Sequence, residues 1–145
     1  MPTVLGPAWN KSIGRTPPHM SKEDERIWDR WKDTHLTDNY ILYFDVGLGD
    51  GIKPPAGIDA NIAAGWIRDT QKRADLIVNT GRKWWIVEFR DNATANAVGR
   101  LLLYNELFKQ DLPLQQPVEL ILVTNRNDPD LKKLSIIYNI DYHFV

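Results

Sequence analysis

Apolar and polar positions alternate with two different periods along this chain, and each period predicts one kind of element. Apolar, β-branched and aromatic runs bounded by turn residues predict strands, at 40–48, 74–79, 84–89, 117–124 and 140–145. Apolar residues three and four positions apart predict helices, at 21–34, from 93 to 108, and from Asp128 or Asp130 to 137, with a possible shorter helix at 58–68. The chain therefore alternates between the two kinds of element throughout.

The order of these elements predicts the fold class. Leaving aside the short helix at 58–68, the chain reads helix, three strands, helix, strand, and then one more helix and strand. The nearly continuous apolar run at 117–124 is typical of a strand that is covered on both faces. We therefore predict a single α/β domain with a mixed central sheet of the αβββαβ type, followed by an extra C-terminal helix and strand.

Residues 1–20 have neither period and are rich in proline, which disfavours regular helices and central strands. We expect an extended N-terminal arm over 1–20 and a folded domain over 21–145. Terminal arms of this kind are ordered only when something holds them. We predict that the arm lies across another subunit or protein, with Trp9 buried there and Val4 and Ile13 as further anchors.

A second irregular segment separates the strand at 40–48 from the short helix at 58–68. It contains glycine and proline at high density and is longer than most connections in compact domains. Long loops of this kind commonly carry binding surfaces. We therefore expect the segment to form a surface for a partner or a substrate.

Composition limits the possible classes of protein. The 145 residues are 43% hydrophobic and 26% charged, as expected for one folded domain. Cysteine is absent, which excludes disulfides and thiolate chemistry. The first residues do not resemble a signal peptide, and no apolar run approaches the roughly 18 residues of a membrane span. We expect a protein that is neither secreted nor membrane-bound.

Three charged residues interrupt the apolar strands. Asp75 lies near the start of one strand, and Glu88 and Arg90 lie two positions apart on the next, so both point to the same face. An uncompensated charge in such a place is unfavourable by several kcal/mol. Two interpretations remain open: Asp75 and Glu88 bind Mg²⁺, or Arg90 forms a structural ion pair with one of them.

Cations are concentrated in the same part of the chain. The formal net charge is −1, but residues 65–110 contain eight Lys and Arg against five Asp and Glu, an excess of three positive charges. A solvated surface of mixed charge explains such a count. The alternative is a phosphate-bearing partner, and Lys72, Arg73 and Arg100 are then the candidate nucleic-acid-binding residues.

The string formed by Asp75 and Glu88-Phe89-Arg90, followed by a helix reading Gly99-Arg100-Leu101 and carrying Tyr104, resembles the core of the PD-(D/E)XK nuclease superfamily. The resemblance covers about 21–145 and is best over 73–108. It implies a restriction-endonuclease-like fold with Asp75 and Glu88 as magnesium ligands.

The resemblance also implies an acidic residue on the first helix that faces the metal. Glu23 and Glu25 are the candidates for this position.

Two arginines depart from the family pattern. Arg90 stands where the family has lysine, and Arg100 stands where related members have glutamine. Arginine stays protonated at any working pH, so it stabilises charge but does not act as a general base. We therefore expect negligible metal-dependent cleavage of DNA.

The tryptophan-rich strand at 84–90 and the helix that follows also resemble segments of small proteins of tailed phages. This resemblance implies a nuclease-like virion structural protein near the head-to-tail connector, located in the virion or the host cytoplasm. Its expected partners are other virion or assembly proteins, bound through the arm within an oligomer, and DNA. The alternative is a magnesium-dependent endonuclease or exonuclease of DNA, with Asp75, Glu88 and Arg90 as its catalytic residues.

Overall fold

The computed structural model describes residues 3–11, 17–112 and 115–145. In chain order its elements are α1 (Lys22–His35), β1 (Ile41–Leu48), α2 (Ala60–Thr70), β2 (Lys72–Asn79), β3 (Trp84–Arg90), α3 (Ala95–Asp111), β4 (Val118–Thr124), α4 (Pro129–Ile137) and β5 (Ile140–Phe144). Each lies within a few residues of a predicted segment. The prediction of a single α/β domain with a mixed sheet is confirmed.

The five strands form one sheet in sequence order, β1-β2-β3-β4-β5. Strands β1, β2 and β3 are antiparallel neighbours, and β3, β4 and β5 are parallel neighbours. A tight turn closes the β2–β3 hairpin, where the Thr80 N–H donates to the Lys83 carbonyl at 3.0 Å. Parallel neighbours need a crossover, and helices α3 and α4 supply the two crossovers.

Each face of the sheet carries a hydrophobic core. Helix α3 packs on one face through five buried side chains, with Leu131 of α4 beside them. These five α3 residues are Ala97, Val98, Leu101, Tyr104 and Phe108. Helix α1 packs on the other face through Ile27, Trp28 and Trp31. The sheet is thus covered on both sides along β3 and β4.

Local capping fixes where two of these helices begin. The Ser21 hydroxyl accepts the Asp24 N–H at 3.1 Å and caps α1. The Asp128 carboxylate accepts two backbone N–H groups at the start of α4, and Pro129 follows as the first helical residue. Both patterns satisfy N–H groups that have no partner within the helix.

The β2–β3 hairpin opens into a fork. Strands β2 and β3 pair from Asn79 with Trp84 as far as Leu76 with Val87. Beyond that point β3 continues through Arg90 against β4, while β2 continues against β1. Asp75 is the first residue of β2 past the last β2–β3 pair, so it lies at the opening of the fork.

The described part of the N-terminal arm lies along β1 of its own chain. Trp9 and Leu42 exchange both backbone hydrogen bonds at 2.9 and 2.8 Å, and Val4 forms a second bridge with Gly47. Trp9 is half-buried against the core under α1. Contacts within the chain therefore already hold the described part of the arm. Contact with another subunit stays a prediction, and Ile13 lies outside the described residues.

Helix α2 differs from the other helices because none of its side chains is buried. It follows the glycine-rich loop after β1 and ends where Gln71 leads into β2. Across the described residues, no helix combines the length and the apolar character that a membrane crossing requires.

Candidate functional site

The fork brings the three predicted site residues together. Arg90 Nη2 lies 3.5 Å from Glu88 Oε1, and Arg90 Nη1 lies 4.0 Å from Asp75 Oδ2. Glu88 and Arg90 share one face of β3, as alternation predicts, and Asp75 reaches them from β2. The pairing of Arg90 with these carboxylates is confirmed.

The position of Asp75 follows from the divergence of the two strands. Its Oδ2 accepts the backbone N–H of Phe89 at 3.0 Å. A buried N–H needs an acceptor, and the Asp75 side chain supplies one where β2 leaves β3. The carboxylate therefore serves the backbone as well as the cluster of charges.

A third carboxylate joins the site from α1. Asp24 Oδ2 lies 3.3 Å from Arg90 Nη1, and its Oδ1 accepts the Asp91 N–H at 2.7 Å. The predicted candidates on this helix, Glu23 and Glu25, are exposed and half-buried respectively, and the structure places Asp24 in the site instead. We call Asp24, Asp75, Glu88 and Arg90 the Arg90 cluster.

Besides its place in the first turn after the N-cap, Asp24 follows a pattern in the sequence that predicts its burial. Asp24 precedes Ile27, Trp28 and Trp31 by three, four and seven positions, so it belongs to the buried stripe of α1. A charged residue on such a stripe needs a partner of opposite charge, and Arg90 is that partner.

Glu88 is the most enclosed member of the cluster. Its side chain is fully buried, and within the described chain neither carboxylate oxygen has a hydrogen-bond partner. The 3.5 Å contact with Arg90 is an ion pair without hydrogen-bond geometry. Burial, followed by the nearby charge of Asp75, raises the pKa of Glu88 well above its ordinary value, although Arg90 and Arg100 oppose this shift. Glu88 is thereby driven toward its neutral, protonated form.

The pKa values of two further groups in the site, Arg90 and Tyr104, are also raised. Burial works against the charge of Arg90, but the neighbouring Glu88, Asp75 and Asp24 carboxylates raise its pKa, so the guanidinium stays charged. Burial and then the Glu88 charge raise the pKa of Tyr104, which keeps its phenol neutral. Tyr104 thus approaches the cluster from α3, the helix on which the sequence placed it.

The predicted nucleic-acid-binding residues Lys72, Arg73 and Arg100 differ in their contacts. Arg73 Nη1 donates to the Asp45 carbonyl and carboxylate at 3.1 and 3.4 Å, and Arg73 Nη2 donates to the Arg68 carbonyl at 3.2 Å. Lys72 is exposed on β2. Arg100 is exposed on α3, and its charge acts on Glu88 and Tyr104. Lys72 and Arg100 therefore present charge to solvent, whereas Arg73 is engaged within the fold.

The cluster fits a metal poorly as it stands. The described residues include no group of three or more His, Asp or Glu placed to hold an ion. Asp75 and Glu88 would be the two oxygen ligands, but Arg90 lies within ion-pair distance of both. A cation that already neutralises the carboxylates competes with Mg²⁺ for them.

No protein-family model matches this chain, and neither a curated protein nor a solved structure matches it.

Proposed function

We propose that this protein is a nuclease-like domain without catalytic activity, which serves as a structural or binding component of a tailed-phage virion near DNA, in the head-to-tail region. The observation that carries the loss of catalysis is the place of Arg90 at the centre of three carboxylates, Asp24, Asp75 and Glu88.

Two physical arguments support the loss of catalysis. The Arg90 guanidinium has no deprotonated form at working pH, so it does not take a proton from water. Glu88 is fully buried beneath it. A hydrated Mg²⁺ usually keeps several of its waters, so binding at a carboxylate with no exposed surface would require the ion to lose waters or the side chain to move.

The placement in a virion rests on the resemblance of the tryptophan-rich strand and its following helix to segments of small tailed-phage proteins. In this proposal the exposed cations Lys72 and Arg100 contact the DNA backbone. The arm along β1 carries the contacts with neighbouring virion proteins, and the domain works as part of an oligomer.

A cleavage assay tests the loss of catalysis. The purified chain is incubated with supercoiled and linear DNA in Mg²⁺ or Mn²⁺, beside Asp75→Ala, Arg90→Lys and the surface control Arg26→Lys. We expect no cutting by the wild type or the control. Metal-dependent cutting by the wild type that disappears in Asp75→Ala would show that the domain is an active nuclease.

A second assay tests DNA contact separately. Fluorescence anisotropy with a labelled duplex should show weak binding that falls with salt, because phosphate contacts release counterions. The double variant Lys72→Gln and Arg100→Gln should bind more weakly than Arg26→Gln. Equal binding by both variants would remove these residues from the proposal and leave the cleavage result unaffected.

One observation favours the second candidate, a magnesium-dependent deoxyribonuclease. Both Glu88 oxygens are buried without hydrogen-bond partners beside Asp75 in the described structure, so the pair has capacity for a bound cation. Thermal melts with EDTA or Mg²⁺ distinguish the two functions. A working site predicts that Mg²⁺ raises the Tm of the wild type but not of Glu88→Gln. An inactive domain predicts that Mg²⁺ shifts neither.

A further inference from the structure

A cavity of about 480 Å³ opens between the N-terminal arm, β1 and α2. Its volume lies within the roughly 300–1,000 Å³ typical of small-molecule sites. Apolar side chains from three elements line most of it: Val4 and Leu5 of the arm, Phe44 of β1, and Ala64 and Ile67 of α2. The cavity is separate from the Arg90 cluster, none of whose residues lines it.

The attachment of α2 explains why the cavity exists. Gln71, at the C-terminal end of α2, donates from Nε2 to the Gly49 carbonyl at 2.8 Å and packs against Gly47. A Cβ atom on Gly47 would lie 2.7 Å from Gln71 Oε1, so the glycine allows this close approach. The helix is therefore held at its end, while the rest of it buries no side chain.

The rim of the cavity carries an excess of one positive charge. Its charged lining residues are Arg68, Arg73 and Asp45. Arg73 is paired with the Asp45 carboxylate at 3.4 Å. Arg68 has no acidic partner within ion-pair distance in the described part of the chain. One guanidinium thus remains available beside an apolar space.

We propose that this cavity binds an aliphatic carboxylate, with the hydrocarbon chain against Ala64, Ile67 and Leu5 and the carboxylate on Arg68. An apolar lining favours a hydrocarbon by burial, and a planar guanidinium pairs with a carboxylate through two parallel hydrogen bonds. A single available cation matches a monoanion. A nucleic-acid strand carries more charge than Arg68 neutralises, and its sugars would find few hydrogen-bond partners here.

Calorimetric titration of the full chain with decanoate, below the concentration at which it forms micelles, tests the proposal. Decanol has the same hydrocarbon chain and no charge, so it serves as the matched ligand. We expect decanoate to bind about tenfold more tightly than decanol, as the loss of one charge-assisted pair predicts. Absence of decanoate binding, or equal binding of both ligands, would overturn the proposal.

Variants locate the binding. Arg68→Gln should weaken decanoate to the level of decanol, and Ala64→Trp should abolish binding of both by filling the cavity. Asn61→Trp is the control for Ala64→Trp, because it adds the same side chain on the same helix outside the lining. Decanoate binding that neither Arg68→Gln nor Ala64→Trp changes would mean that it binds elsewhere, and would refute the assignment.

Discussion

Arg90 and Arg73 are both strand arginines that bind carboxylates, yet their surroundings differ. The Arg90 side chain is 28% exposed and contacts three carboxylates, which come from α1, β2 and β3. The Arg73 side chain is 37% exposed and contacts one, Asp45 on the adjacent strand. Exposure of the two arginines is therefore similar, and the number of converging acids is what separates them. An arginine that neutralises several acids from different elements holds those elements together.

The largest expected effect is a difference in stability between variants of Arg90 and of Arg73. Arg90→Met leaves Asp24, Asp75 and Glu88 close together without a cation, which should lower the free energy of unfolding by about 3–5 kcal/mol. Arg73→Met disrupts one partly exposed pair and should lower it by about 1 kcal/mol or less. Urea denaturation of both variants measures the difference. Equal losses would mean that the Arg90 cluster contributes no more than an ordinary surface pair.

The next largest effect is expected for Asp24, the residue through which α1 contacts the Arg90 cluster. Asp24→Ala removes the acceptor of the Asp91 N–H and one carboxylate of Arg90. We expect a loss of about 1–3 kcal/mol, since a buried donor is left without a partner. Glu23→Ala, one position earlier and exposed, should stay within about 0.5 kcal/mol of the wild type. Urea denaturation again measures both, and a loss in Glu23→Ala as large as in Asp24→Ala would remove the special role of Asp24.

The contrast between Asp24 and Glu23 also shows how much of the fold and of the site the sequence predicts. The change from a period of two to helical spacing locates most of the strands and helices, because burial of one face imposes that spacing. The same reasoning places Glu88 and Arg90 on one face of β3. The same reasoning does not place Asp24 in the site, because a position three residues after Ser21 is equally typical of a helix cap.

Long-range contacts explain what else the sequence does not predict. The pairing of Trp9 with Leu42 joins residues far apart in the chain, and no local period encodes it. The enclosure of Glu88 depends on the packing of α3 over β3, which the spacing of apolar residues does not specify. The order of elements is thus a local property, whereas the state of the site is a property of packing.

A histidine on the opposite face of the sheet provides a counterpart to Glu88. Trp31 Nε1 donates to His143 Nδ1 at 2.8 Å, and the His35 ring stacks on His143 with centroids 4.6 Å apart. Burial and then the charge of His35 lower the pKa of His143 below its ordinary 6.5, although Asp141 opposes this shift. Protonation of Nδ1 would remove the acceptor that Trp31 uses.

The two shifted groups predict opposite pH dependences. Glu88 binds its proton more tightly when folded, so its contribution to stability is lost as pH rises above 4.5 through its folded pKa. His143 binds its proton less tightly when folded, so its contribution is lost as pH falls below 6.5. Relative to the wild type, Glu88→Gln should therefore gain stability with rising pH, and His143→Asn should gain it with falling pH.

Thermal melts of the three proteins between about pH 4 and 8 measure these differences, a range that includes the ordinary pKa values of both groups. Asn at 143 keeps an oxygen acceptor for Trp31 but does not titrate. If Tm changes with pH in the same way for Glu88→Gln and the wild type, Glu88 has the same pKa in the folded and unfolded chain. That result would contradict the enclosure of Glu88 in the Arg90 cluster.

The smallest expected effect concerns Asp111, the last residue of α3. Asp111 Oδ2 accepts the Thr3 N–H and hydroxyl at 2.8 and 2.6 Å and the Gly49 N–H at 3.2 Å. One carboxylate thus ties the arm and the loop after β1 to the end of α3. Asp111→Ala should loosen the arm and lower the free energy of unfolding by about 1 kcal/mol, because these groups are accessible to water once released.

Hydrogen exchange reports this loosening by position. In Asp111→Ala we expect faster exchange at the Trp9 and Leu42 amides, and unchanged exchange at Phe89 within the Arg90 cluster. Glu106→Ala, an exposed change on the same helix, is the control. If another subunit holds the arm, as its proline-rich sequence predicts, protection of Trp9 should instead rise with protein concentration and survive the loss of Asp111. Protection that is independent of concentration and lost in Asp111→Ala would mean that the arm belongs to its own chain.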